Sequence, residues 1–226
     1  LSAMVQNKVE VDTIIYSAAI SACEKGAEWV KALEILSAMA KDKVEVDTIT
    51  YNAAISACEK GRQWVKALGL LSAIAQDKVE ANTITYSAAI SACEKGGEWV
   101  KALELLSTMV QGKVEVNTIT YSALISACEK CGEWVEALGL LSARVQGKVE
   151  VNTITYNAAI SACEKGGEWV KALELLSAMV QDKVEVNTIT YNAAISACEK
   201  GGGWLKALKL LSLMVQDKVE VNTITY

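Results

Sequence analysis

The residues best suited to chemistry in this chain recur at a single interval. Between residues 153 and 187, Ile154, Asn157, Ser161 and Lys165 are spaced i, i+3, i+7 and i+11, which on a helix forms one stripe. On such a stripe an apolar side chain can pack against a nucleobase, a small polar one can read its edge, and a lysine can meet a phosphate. The apolar position is occupied in turn by Ile14, Ile49, Ile84, Ile119, Ile154 and Ile189, and the lysine by Lys25, Lys60, Lys95, Lys130, Lys165 and Lys200. The small polar position, always the residue after a tyrosine, varies: Ser17, Asn52, Ser87, Ser122, Asn157 and Asn192. A second polar series, Asp47, Asn82, Asn117, Asn152, Asn187 and Asn222, closes each interval. Simpler roles exist for two of these series. Asp or Asn just before a helix serves as an N-cap, and a lysine in the last turn suits the helix dipole.

Other chemistries find little support. Histidine is absent, which removes the commonest general base and metal ligand. Six of the seven cysteines (Cys23, Cys58, Cys93, Cys128, Cys163 and Cys198) follow the interval, so they read as small buried thiols in a reducing compartment and not as a disulfide framework. Cys128 and Cys131 form one C-x-x-C, but a zinc site needs about four ligands and no second pair lies near in sequence. No phosphate-binding glycine loop or nucleophile elbow is present. No cofactor is expected, and the chain is not expected to be an enzyme. The 22 Lys plus Arg against 27 Asp plus Glu leave a net charge of −5, which confers solubility without a general attraction for nucleic acid or anionic membranes. No apolar stretch approaches the roughly 20 residues that span a bilayer, so no membrane insertion is expected.

The elements that position the stripe follow from the repeat itself. Cys, Trp and Tyr each return every 35 residues, giving units 13–47, 48–82, 83–117, 118–152, 153–187 and 188–222. Residues 1–12 match the end of a further unit and residues 223–226 open another, so residues 1–226 read as one repeat array cut inside repeats. In the fifth unit a first helix, A, is predicted over Ile154–Lys165, with Tyr156, Ile160 and Cys163 on its core face. Gly166 and Gly167 end it. A second helix, B, is predicted from about Glu168 to Gln181 along an apolar line of Trp169, Leu173, Leu176 and Val180. Glu168 is expected in its first turn, and Asp182–Val186 as an extended linker. Neither helix covers its apolar face alone, so neighbouring units must stack. The expected fold is all-α: a right-handed α-solenoid of helix-turn-helix 35-residue repeats.

The unit Thr-Ile-Thr-Tyr-Asn-Ala-Ala-Ile-Ser-Ala-Cys-Glu-Lys-Gly-Gly, followed by Trp-Val-Lys-Ala-Leu-Glu-Leu-Leu, resembles the pentatricopeptide repeat (PPR) of P-type arrays over the whole chain. It departs from that pattern where Val186 (Ala81 in the second unit) replaces a linker proline and Leu176 replaces a phenylalanine. The tetratricopeptide repeat is the nearest competitor, but its period is about 34. The resemblance implies single-stranded RNA binding in a plastid or mitochondrion, one nucleotide per repeat, with the 5′ end at the N-terminal repeat. It implies base reading by the residue after the tyrosine together with the last residue of the unit, base sandwiching by the isoleucines, and phosphate contact by the lysines. Ser17 with Asp47 then resembles a guanine reader. Ser87 with Asn117 and Ser122 with Asn152 resemble adenine readers. Asn52 with Asn82, Asn157 with Asn187 and Asn192 with Asn222 resemble pyrimidine readers, so the implied target is 5′-GYAAYY-3′. The alternative is an accessory subunit that packs against proteins of a larger organellar complex, which the acidity of the chain favours. Peptide capture in the tetratricopeptide manner ranks below both.

Overall fold

A computed structural model of the chain describes residues 12–146 and 149–216, and these contain twelve α-helices and no strand. The helices are α1 (Thr13–Lys25), α2 (Trp29–Lys41), α3 (Thr48–Lys60), α4 (Trp64–Gln76), α5 (Thr83–Gly96), α6 (Trp99–Gln111), α7 (Thr118–Cys131), α8 (Trp134–Gln146), α9 (Thr153–Lys165), α10 (Trp169–Gln181), α11 (Thr188–Lys200) and α12 (Trp204–Gln216). Odd-numbered helices are the A helices and even-numbered ones the B helices. The chain comprises two compact units, Leu1–Val116 and Asn117–Tyr226, divided one residue before the end of the third repeat. In the first, α1 packs on α2 and α3, α3 on α4 and α5, and α5 on α6. In the second, α7 packs on α8 and α9, α9 on α10 and α11, and α11 on α12. None of the described helices is long and apolar enough to cross a membrane.

Small residues set the spacing of the A helices. Ala53, Ala54 and Ala57 of α3 are almost fully buried against Ile20 and Ala32. Tyr51, Ile55 and Cys58, on the opposite side of the same helix, join Ala67, Ile74, Ala88, Ala89 and Ala92. A helix whose core faces are mostly alanine admits a neighbour on each side, so stacking can continue from repeat to repeat. The core stripe Tyr156, Ile160 and Cys163 is buried as expected. The B-helix line needs correction. In α10 the buried residues are Ala172, Leu175, Leu176 and Met179, whereas Val180 is 60% exposed. α9 and α11 flank α10, and their direction selects the Ala/Leu/Met face over the line through Trp169.

Glycine has a steric role where repeats meet. A Cβ on Gly61 would lie 2.3 Å from Cδ1 of Trp29, one on Gly96 2.4 Å from that of Trp64, and one on Gly166 2.3 Å from that of Trp134. Each indole therefore lies over the turn glycine of the next repeat. The second turn position takes the left-handed conformation, with Gly167 at φ 73° and Ala27 and Arg62 at φ 56°. The end of helix B uses the same device with lysine instead of glycine: Lys43, Lys78, Lys113 and Lys183 all have φ of 55–57°. The expected extended linker Asp182–Val186 therefore begins as a tight turn, closed by Val184 N–H donating to the Met179 carbonyl at 3.0 Å. Glu168 precedes α10 at its N-cap position without a side-chain cap bond, one residue earlier than expected.

Two further bonds recur between hairpins and their linkers. Thr153 Oγ1 donates to the Glu185 carbonyl at 3.1 Å, and Thr48 and Thr83 repeat this bond to Glu80 and Glu115. The Tyr156 hydroxyl donates to the Asp182 carboxylate at 2.7 Å, as Tyr16 does to Asp42 and Tyr51 to Asp77. The hydrogen bond to Asp42, burial and the adjacent negative charge together push the Tyr16 phenol up to about 12. In the third and fourth repeats Gly112 and Gly147 stand where the others place this aspartate.

Candidate nucleic-acid interface

The candidate residues cluster at the start of each A helix, where the N-cap sets their orientation. The cap accepts from the backbone N–H three residues on: Asp12 from Ile15 (3.0 Å), Asp47 from Thr50 (2.8 Å), Asn82 from Thr85 (3.0 Å), Asn117 from Thr120 (3.0 Å), Asn152 from Thr155 (2.9 Å) and Asn187 from Thr190 (3.1 Å). The closing residue of each of the first five repeats therefore caps the helix that follows it. Capping engages one oxygen of each of these side chains and leaves the rest of the group for other partners.

The isoleucines stand beside these caps with their side chains in solvent. Ile14, Ile49, Ile84, Ile119, Ile154 and Ile189 are each at least 61% exposed. Core packing does not account for a β-branched apolar residue left exposed at the same position in every repeat. A flat apolar ligand group would cover it.

The residue after the tyrosine lies deeper. Asn52 is 9% and Ser87 7% exposed, while Ser17, Ser122, Asn157 and Asn192 are half-buried. Asn52 Nδ2 donates to Asn82 Oδ1 at 3.3 Å, and Asn157 Nδ2 donates to Asn187 Oδ1 at 3.4 Å. The two members of each of these pairs, 30 residues apart in sequence, thus touch directly. Ser17 with Asp47 and Ser122 with Asn152 are joined through the hydroxyls of Thr50 and Thr155. Ser87 lies in the first compact unit and Asn117 caps α7 in the second. Asn222, expected to pair with Asn192, lies outside the described residues.

The lysines occupy the other end of the A helices, and four of them are paired with glutamates. Lys60 meets Glu24 at 2.8 Å, Lys95 Glu59 at 2.7 Å, Lys165 Glu129 at 2.6 Å and Lys200 Glu164 at 2.8 Å. Each bond joins consecutive repeats. Lys25 and Lys130 are exposed at the corresponding positions. Read within one helix, Glu164 and Lys165 point about 100° apart. The stack brings these four lysines to the glutamate of the preceding repeat, an arrangement only a 36-residue spacing would reveal. The ammonium groups that could meet phosphate are therefore shared with carboxylates. These pairs are partly exposed, and such pairs contribute about 0–1 kcal/mol each.

The buried thiols of the core stripe are held protonated. Burial raises those of Cys58, Cys93, Cys128 and Cys163 to about 11, far from the thiolate range at neutral pH. Among the described residues no group of three or more Cys, Asp or Glu side chains is arranged to hold a metal ion. The threonine third in the A helix was absent from the stripe read in the sequence. Its recurrence in Thr-Ile-Thr was visible there, but its bonds to residues 33 positions earlier were not.

Comparison with known proteins agrees with this geometry. The PPR repeat family profile matches residues 81–130, 116–165 and 151–200. A pentatricopeptide repeat domain profile matches residues 1–60, and a PPR repeat profile matches 49–79 and 189–219. No curated protein matches the sequence significantly. Among solved structures, the PPR domain of Arabidopsis thaliana protein-only RNase P 1, in complex with tRNA, superposes with a TM-score of 0.68 at 17% identity, covering 76% of this chain and 90% of that one. PPR10 in complex with an 18-nt psaJ RNA element superposes with a TM-score of 0.60 at 22% identity, covering 99% of this chain and 37% of that one. PPR10 from maize superposes at 0.51 with 19% identity, covering 100% and 42%. The chain thus spans well under half of PPR10. With matching profiles along its length, tyrosine-led A helices in every repeat and the fold of solved PPR proteins, this chain belongs to the pentatricopeptide-repeat family.

Proposed function

We propose that this chain binds single-stranded RNA without catalysis, one nucleotide per repeat, at a target of the form 5′-GYAAYY-3′. The observation that carries the reading is the exposed isoleucine beside a hydrogen-bonded polar pair at the head of the A helix, repeated from one repeat to the next. Isoleucine supplies a surface for a base face, and the pair supplies groups for a base edge. Two of the structural neighbours were solved with RNA, which supports the same reading. By family resemblance the setting is a plastid or mitochondrion, where such binding would serve RNA processing, stability or translation. Immunodetection of the endogenous protein in fractionated organelles tests that setting.

The binding test is fluorescence anisotropy of the chain with 5′-GCAACC-3′ in a longer carrier, against a scrambled RNA, at two salt concentrations. A clear preference for the designed site, weakening as salt rises, is the expected result. Equal binding of both RNAs would defeat the reading. The Lys–Glu pairing favours a second reading, in which the array packs against proteins of a larger complex, because it ties four of the six lysines expected to face phosphate to carboxylates. Absence of RNA preference together with stoichiometric co-purification of a protein complex would select that reading.

A further inference from the structure

We propose that the buried threonine third in α3, α5, α9 and α11 is a specificity-determining positioning residue, whose single hydroxyl proton sets the hydrogen-bonding polarity of the base-reading pair in the preceding repeat. The assignment rests on the RNA reading above and adds a residue and a rule to it. Thr50, Thr85, Thr155 and Thr190 are 0–1% exposed, so bulk water does not compete for their hydroxyls. Each lies between the two members of a pair. A hydroxyl has one proton to give and two lone pairs with which to accept, so its orientation is a choice imposed by its neighbours.

In the first repeat the neighbours are Ser17 and Asp47. Thr50 Oγ1 lies 2.6 Å from Asp47 Oδ1, and a carboxylate only accepts. The Thr50 proton therefore goes to Asp47, and the short contact between Thr50 and Ser17 requires the serine to donate. With its proton turned inward, Ser17 presents lone pairs outward, beside the remaining oxygen of Asp47. Both members of the pair now accept. Guanine presents two adjacent donors on its Watson–Crick edge, N1–H and the 2-amino group, and fits such a pair.

In the second repeat the neighbours are two asparagines. Thr85 Oγ1 lies 2.6 Å from Asn52 Oδ1 and 3.0 Å from Asn82 Oδ1, and it accepts from the Asn82 backbone N–H at 3.1 Å. The nearer oxygen takes the proton. Asn82 Oδ1 is then occupied by the Thr85 N–H and by Asn52 Nδ2, and Asn52 Oδ1 is turned inward to the Thr85 hydroxyl, so both carbonyl oxygens of the pair face protein donors. What remains to face a ligand is N–H. The fifth repeat reproduces this, with Thr190 Oγ1 2.6 Å from Asn157 Oδ1 and 3.1 Å from Asn187 Oδ1. A donor–donor pair suits the N3 and O2 acceptors of cytosine, and uracil shares O2.

The fourth repeat is mixed. Thr155 Oγ1 lies 2.9 Å from Asn152 Oδ1 and 2.7 Å from Ser122. With the Thr155 proton on Asn152, Ser122 donates inward and accepts outward, while Asn152 Nδ2 donates. One donor beside one acceptor matches adenine, which offers N1 as acceptor and its 6-amino group as donor. Giving the threonine proton to the neighbour that can only accept, and to the nearer one where both can only accept, thus yields three different edges.

The test uses the full chain with Thr50→Val and Thr190→Val, and with Thr50→Ser and Thr190→Ser as conservative variants. Anisotropy competition compares RNAs carrying G or A opposite the first repeat, and C or A opposite the fifth. Thr50→Val is expected to reduce the G-over-A preference about threefold to tenfold, the range expected for one neutral hydrogen bond, with the fifth position unaffected. Thr190→Val does the converse, and the serine variants retain wild-type preference. Circular dichroism verifies folding, and Thr→Ala replaces valine in the same comparison if valine prevents it. An equal loss of affinity for every RNA, or full retention of preference, overturns the threonine assignment while the RNA reading stands. Failure of the wild-type chain to prefer any of these RNAs overturns both.

Discussion

The indole-over-glycine contact between repeats makes a sharp prediction because the chain contains its own control. Gly26 and Gly61 occupy the same position in successive repeats, with nearly the same backbone: φ −83°, ψ 0° and φ −78°, ψ 1°. Among the described residues a Cβ at Gly26 meets only ordinary contacts, the nearest being Glu28 Cγ at 3.5 Å. At Gly61 it meets Trp29 Cδ1 at 2.3 Å and Cγ at 2.8 Å. To restore a normal carbon–carbon separation of about 3.5–4.0 Å, the indole must shift by more than 1 Å or the repeats must part. Overpacking of this kind costs about 1–3 kcal/mol, against about 0.4–1 kcal/mol gained when alanine restricts the unfolded chain. Gly61→Ala is therefore expected to destabilise by about 1–2 kcal/mol and Gly26→Ala to stabilise by about 0.5 kcal/mol. Urea unfolding followed by circular dichroism reads the difference as opposite shifts of the midpoint. In a Trp29→Ala background the penalty of Gly61→Ala should vanish, which a double-mutant cycle reports as coupling. Equal shifts for Gly26→Ala and Gly61→Ala, or a penalty that survives removal of the indole, would refute the steric account.

Two other expectations follow from the charges. Tyr16 ionises near 12 in the folded chain and near 10 when unfolded, so the folded state holds a proton that the unfolded state loses above pH 10. Its contribution is complete below pH 10 and is lost as the pH rises through about 12; Tyr16→Phe should flatten that part of a stability–pH profile measured by urea midpoint. Replacing Glu24, Glu59, Glu129 and Glu164 together by glutamine frees four lysines from their carboxylates. If these lysines face phosphate, the substitution should tighten RNA binding and steepen the plot of log affinity against log salt, by up to about 0.7 per lysine newly contacting phosphate. An unchanged slope would place the lysines off the RNA path.

Much of each repeat was legible in the sequence because its signals are local. Periodicity along α9 and α10 spans a few turns, N-cap chemistry spans three residues, and the glycine after helix A is a local backbone requirement. The all-α repeat architecture, the Tyr156, Ile160 and Cys163 core face and the exposed isoleucines all follow from such short-range rules. Only the tertiary structure decided what depends on how one hairpin stacks on the next. Thr190 reaches Asn157 across 33 residues and Lys200 reaches Glu164 across 36, distances over which helical periodicity carries no phase. The same stacking turned the B helices onto their Ala/Leu/Met face and left Val180 in solvent. The sequence placed Ser, Asn and Asp at the positions that could read a base. Stacking placed a buried hydroxyl between them, and a single proton shared among fixed neighbours is a property of geometry that composition and spacing do not encode.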